Sequence, residues 1–177
     1  MALYTNGIYR AAGNQYNGGI VQSNYSLVNG IVSGSGNYWH ASQFDTPITP
    51  CSTSNKILIL VSLGSVSGES NTQGFQVRRN GSEIDAMRAA SNGSRPRLTF
   101  RGARNWSNDS NHTEGAHIIM LDSPGTTSTV TYRLYVKGES NSTVYFNRTQ
   151  NNSNGGDAYQ GNTCSSMTVF ELSLIHI

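Results

Sequence analysis

The chain has 177 residues with a net charge of +2, and charged residues make up only 12% of it, about half the usual ~25%. Its surface must therefore be neutral and rich in hydroxyl and amide groups. Aromatic and β-branched residues are grouped into short runs, which excludes low-complexity disorder, and the length suits one domain burying roughly two-thirds of its unfolded surface in a single core.

The opening "MALYTNGIYRAAGNQYNGG" has no basic region followed by an apolar stretch, and nowhere do eighteen apolar residues occur together, so neither a signal peptide nor a membrane span is expected. Residues 1–17 read as a lead-in or linker, residues 18–171 as the domain. Helical periodicity is almost absent. Strand-like runs follow one another instead: "GIVQSNYSLV", "YWHASQFDTPI", "KILILVSLGSV", "GFQVRRN", "SEIDAMR", "RLTFRG", "AHIIMLD", "STVTYRLYV", "STVYFNR" and "SSMTVFEL". Each is bounded by Gly, Asn, Ser or Pro, and this spacing predicts an all-β sandwich or barrel.

Two runs say more than the others. In "TVTYRLYVK", Val130, Tyr132, Leu134 and Val136 share one face and Thr131, Arg133, Tyr135 and Lys137 the other, the pattern of a half-buried strand. "KILILVSL" is apolar on both faces, with Ile57, Ile59, Val61 and Leu63 on one and Leu58 and Leu60 on the other. One face meets the opposing sheet. The second needs cover from another subunit or from one of the domain's own loops. "GESN" occurs at residues 68–71 and 138–141, which reads as repeated turn chemistry, with internal duplication as the alternative.

"ITPCSTSNKILILVSLGSVSG", "GFQVRRNGSEI", "SRPRLTF", "IIMLDSPGTTSTVTYRLYV", "STVYFNRT" and "SSMTVFEL" together resemble a domain common in marine bacteriophage genomes, found in tail-fibre and other virion proteins. The match runs in order from about Gly19 to Glu171, and no motif in it is catalytic. The resemblance implies a jelly-roll β-sandwich similar to trimeric tumour-necrosis-factor-like heads, and so a homotrimer associated with other virion proteins in the extracellular particle. It makes Ile57, Ile59, Leu60 and Val61 candidate subunit-interface residues, because such heads bury an inner sheet face along a threefold axis. The segment "RGARNWSNDSNHTEGAH" matches no family pattern, and fibre tips diversify in such loops. Arg101, Arg104, Trp106, Asn108 and His112 are therefore the candidate ligand contacts, with a host surface glycan as the expected partner.

Other constellations carry less. "HTEGAH", with His112, Glu114 and His117, lacks the spacing that places two zinc-binding histidines on one helix face, so loop polarity is the simpler reading and no metal is expected. Arg78, Arg79, Arg88, Arg95, Arg97, Arg101 and Arg104, followed by Trp106, suit either an anionic glycan or nucleic acid. Alternatively they pair with Glu83, Asp85 or Asp109 on solvent faces or across subunit contacts. Nucleic acid is not expected as a partner, nor is membrane insertion. Asn-x-Ser/Thr triplets, Asn24 and Asn147 among them, read as accidents of composition. Cys51 and Cys164 fit no zinc or C-x-x-C spacing and read as free thiols, with a bridge between them as the alternative. "LDSP" at 121–124 reads as a strand exit. No nucleophile elbow or carboxylate pair stands out, so neither catalytic residues nor a cofactor is expected and the domain reads as non-enzymatic. A lectin-like module outside a virion and a fibre-borne polysaccharide depolymerase are the competing functions. Finally, Leu172 to Ile177 read like the translated transposase end of a sequencing adapter, and on that ground no functional weight falls on them, His176 included.

Overall fold

Val130, Tyr132, Leu134 and Val136 are buried while Thr131, Arg133, Tyr135 and Lys137 stay half-exposed, so the alternation of this run fixes which way its sheet faces. The computed structural model describes residues 2–5, 8–11, 19–69, 73–102 and 110–173. These form thirteen strands: β1 (Ala2–Thr5), β2 (Ile8–Ala11), β3 (Gly19–Val28), β4 (Val32–Gly34), β5 (Trp39–Ile48), β6 (Lys56–Gly68), β7 (Gln73–Arg79), β8 (Ser82–Glu83), β9 (Phe100–Gly102), β10 (Glu114–Asp122), β11 (Val130–Gly138), β12 (Val144–Phe146) and β13 (Ser165–Ser173). Among the described residues helical structure is limited to single 3-10 turns, at Asp85–Met87, Glu139–Asn141 and Ala158–Gln160. None is long and apolar enough to cross a membrane.

The chain is all-β and sandwich-like. In the first sheet β3, β13 and β6 lie side by side, β12 and β4 continue the sheet beyond the end of β13, and β10 runs along the other edge of β6. The second sheet has the order β5–β11–β7–β8, with β9 also on β7. All pairings are antiparallel. The long strands alternate between layers along the chain: β3, β6, β10 and β13 belong to the first sheet, β5, β7 and β11 to the second.

Both inner faces supply the core. Ile57, Ile59, Val61, Leu63, Met167 and Val169 meet Phe44, Phe75, Val77, Tyr132 and Leu134, all at most 2% exposed. Phe146 sits among the aromatics, 5.4 Å from Phe44 and 6.2 Å from Phe75 between ring centroids. The offset, tilted rings suit their quadrupoles.

Local chemistry set the outcome where two runs departed from expectation. "SEIDAMR" keeps a strand only at Ser82–Glu83 and then turns through Asp85–Met87. Met87 N–H bonds the Ile84 carbonyl at 2.9 Å and Met87 is buried, while Arg88 folds back on Asp85 and Glu83. A straight strand would have exposed Met87. "RLTFRG" is a strand only from Phe100, whose ring stacks on Phe75 at 4.4 Å. The hairpin at Asn80 and Gly81 has positive φ at both residues, 52° and 85°, the signature of a type I′ turn and the reason an Asn-Gly pair stands there.

Candidate functional site

The first sheet has an unusual outward face. Along β3 the alternation is inverted relative to a free-standing domain: Gln22, Asn24 and Ser26 point inward, while Tyr25 and Leu27 point out and are 67% and 57% exposed. The inward polar groups are accounted for by the opposite layer. Gln22 Nε2 donates to the Thr49 carbonyl at 2.6 Å, Asn24 Nδ2 to Pro47 at 2.8 Å and Ser26 Oγ to Asp45 at 2.8 Å. These bonds close one seam of the sandwich, and they leave the strand's apolar residues on the outside.

Register carries that apolar character across four strands. Tyr25, Thr168, Leu60 and Ile119 stand in one transverse row, and Ser23, Phe170, Leu58 and Leu121 in the next. Ile119 is 70% exposed and Leu121 47%. A third row, Leu27, Ser166, Ser62 and His117, borders them on one side. Lys56, on the other side, donates to Ser123 Oγ at 2.9 Å. Neither of the two central rows contains a charge.

Of the four candidate interface residues, Ile57, Ile59 and Val61 face the interior, with at most 1% exposure. Leu60 faces outward beside Leu58, so any interface through this strand is narrowed to those two leucines. Ile119, Leu121, Tyr25 and Leu27 were missed by sequence reasoning. The available signal was β3, whose apolar residues sit on the face opposite to its hydrogen-bonding polar ones.

The arginines do not converge on a ligand. Arg78 donates to Gln76 Oε1 and lies 4.2 Å over the Tyr135 ring. Arg79 pairs with Asp122 at 2.6 Å. Arg88 and Arg97 share Asp85, and Arg88 also bonds Glu83. Hydrogen bonds and charge from Arg88, with a smaller contribution from Arg97, hold the Asp85 carboxyl below its usual value. Arg101 is exposed on β9, while Arg104, Trp106 and Asn108 lie outside the described residues. Cys51 and Cys164 are both free and exposed.

His112 reaches a different place. With Ser65, Asn111, Thr113, Thr149 and Thr163 it lines an open cleft of about 530 Å³, as do Ala158 and Gly161. Its Nε2 lies 3.3 Å from Glu114 Oε1. His117 stands on β10 in the outward row, and among the described residues no three His, Cys, Asp or Glu side chains are grouped to hold a metal ion. The cleft wall is held from behind. Thr163 N–H bonds the Asn147 carbonyl at 3.1 Å, and the Thr163 and Ser65 hydroxyls are 2.8 Å apart. On the other side Asn151 N–H bonds the Ser110 carbonyl at 3.0 Å, and Asn151 Nδ2 donates to Asn111 Oδ1 at 3.2 Å. Compared with known proteins, the chain matches no family model and no curated protein.

Proposed function

We propose that the chain is a non-enzymatic virion domain, a trimeric jelly-roll head that caps or decorates a phage fibre and contacts the host surface. The observation that carries this is the outward face of β3, β13, β6 and β10, which is apolar, uncharged in its two central rows and exposed at Tyr25, Leu27, Ile119 and Leu121. A contiguous apolar patch of this kind marks an interaction surface. A face without a charge pattern has nothing for a dissimilar charged surface to match, and further copies of itself meet its chemistry. Closed rotational symmetry then hides the face in every subunit. Alternation of the long strands between the layers supports the jelly roll. The hydroxyl-lined cleft supports surface contact.

Light scattering on the purified chain tests the assembly. The expected mass is three times that of the chain. Leu60→Asp should leave a folded monomer, whereas Ile59→Asp, which puts a charge in the core, should prevent folding. A monomeric wild type at tens of micromolar, or two substituted chains that both stay folded and trimeric, would remove this strand from any interface. The same cleft fits a lectin-like module outside a virion, which sugar binding by a monomeric wild type would favour.

A further inference from the structure

The lining of the cleft selects a class of ligand. Ser65, Thr113, Thr149 and Thr163 offer hydroxyls, Asn111 an amide and His112 an imidazole, and among the described residues no Lys or Arg lines it. The Glu114 carboxylate lies 3.3 Å from the His112 imidazole and disfavours an anion beside it. An apolar ligand would strip water from the hydroxyls without replacing their hydrogen bonds. An uncharged molecule bearing many hydroxyls gives each group a partner, because a hydroxyl both donates and accepts.

The cleft is also built in advance. Thr149 is only 5% exposed, its carbonyl accepts from Arg148 Nη1 at 2.8 Å, and its hydroxyl bonds to none of the described residues although it lines the opening. In the turn Ala158–Gln160 beside it, Gln160 N–H donates to the Asp157 carbonyl at 3.0 Å and Asp157 N–H to Gln160 Oε1 at 3.4 Å. Rigid walls reduce the ordering cost of binding, and the volume lies within the ~300–1,000 Å³ range of small-molecule sites.

We propose that this cleft binds an uncharged saccharide, with Thr149, Thr163 and Asn111 as its principal hydrogen-bonding contacts. That the sugar belongs to a host surface rests on the attachment role proposed above; the site itself does not. The test is titration of the 15N-labelled full chain with methyl glycosides of glucose, galactose, mannose and N-acetylglucosamine, and in parallel with glucuronate, sialic acid and galactose sulfate. At least one neutral glycoside should shift the amides of Thr113, Thr149 and Thr163, and bind at least about tenfold more tightly than the acidic sugars. Thr149→Val keeps the shape and removes the hydroxyl, and should weaken binding by about tenfold, the effect of one lost hydrogen bond. Absence of shifts with all four neutral glycosides, equal or tighter binding of the acidic sugars, or unchanged affinity in Thr149→Val would each overturn the assignment. Repeating the titration with Leu60→Asp separates the two proposals. Binding by that chain leaves the site standing whatever the assembly, while a wild-type trimer that binds none of the neutral sugars loses the site alone.

Discussion

Ser165 Oγ donates to Asn147 Oδ1 at 2.6 Å, and the same Asn147 gives its amide hydrogens to the carbonyls of Val28 and Gly30 at 2.8 and 2.9 Å. One fully buried side chain thus joins β13, the end of β3 and the segment behind the cleft. Its backbone has φ 64°, a region that Asn tolerates better than other L-residues. Both amide hydrogens are already used, so the Asn-x-Thr triplet at 147–149 is a structural element of the fold. Asn147→Ala should cost about 2–4 kcal/mol in urea unfolding, combining unsatisfied carbonyls with left-handed strain. Asn147→Gly should recover only the backbone share, about 1 kcal/mol. Equal midpoints for wild type and Asn147→Ala would contradict this.

Glu171 is buried and accepts from Asn55 Nδ2 at 2.6 Å, Gln22 Nε2 at 2.5 Å and Cys51 N–H at 2.7 Å. Burial raises its carboxyl, but the hydrogen bonds from Asn55, Gln22 and Cys51 outweigh that and hold it below the ordinary glutamate value. A carboxyl depressed on folding stabilises the native state above the unfolded value of ~4.3, and the gain fades as pH falls through the folded value. Glu171→Gln should therefore lose about 1–3 kcal/mol at pH 7. Its deficit relative to wild type should shrink in urea titrations run below about pH 4. A deficit that stays constant with pH would show that the charge is immaterial.

How far these features could be read from sequence depended on whether the partner was local. The two-sided strand 56–63 was legible because both its faces are apolar within eight consecutive residues. Asp122 was legible as the end of a strand, yet its side chain does not serve the downstream backbone: it accepts from Tyr132 and Arg79, the latter 43 residues away. Glu171 marked only where a resemblance ended, because the donors it gathers come from β3 and the 51–55 segment, distant in sequence. The cleft was invisible for the same reason. His112 lay in a suspected loop, but Thr149 and Thr163 meet it only after β10 and β13 have both paired with β6.

Tyr132 has no exposure, and its hydroxyl donates to Asp122 Oδ2 at 2.6 Å, the oxygen that Arg79 also engages. Burial first, and then the hydrogen bond and charge of Asp122, push the phenol far above its usual value. A group whose value rises on folding contributes stability below the unfolded value of ~10 and loses it as pH climbs beyond that. Tyr132→Phe should cost about 1–2 kcal/mol at pH 7 and flatten the loss of stability above pH 10. Ultraviolet titration should find one phenol that ionises only as the wild-type fold is lost. Tyr132 ionising in the native protein near pH 10 would refute this.

Gly34 on β4 lies against the Trp39 indole, so that a Cβ at this position would clash with the ring carbons Cε2, Cδ2 and Cζ2. The ring is half-buried and 6.3 Å from Phe146, which fills the middle of the aromatic cluster. Gly34→Ala must therefore displace the indole or β4, and overpacking of this sort costs about 1–3 kcal/mol. Displacement also wets the ring, so Trp39 emission should move to longer wavelength when measured in a Trp106→Phe background, where it is the sole tryptophan. Gly30→Ala is the control, since a Cβ there meets nothing within 4 Å. Trp39→Leu should remove most of the cost of Gly34→Ala, because the two effects share one contact. If Gly34→Ala costs as much in the Trp39→Leu background as with the indole in place, the close approach of indole to backbone does not determine the packing here.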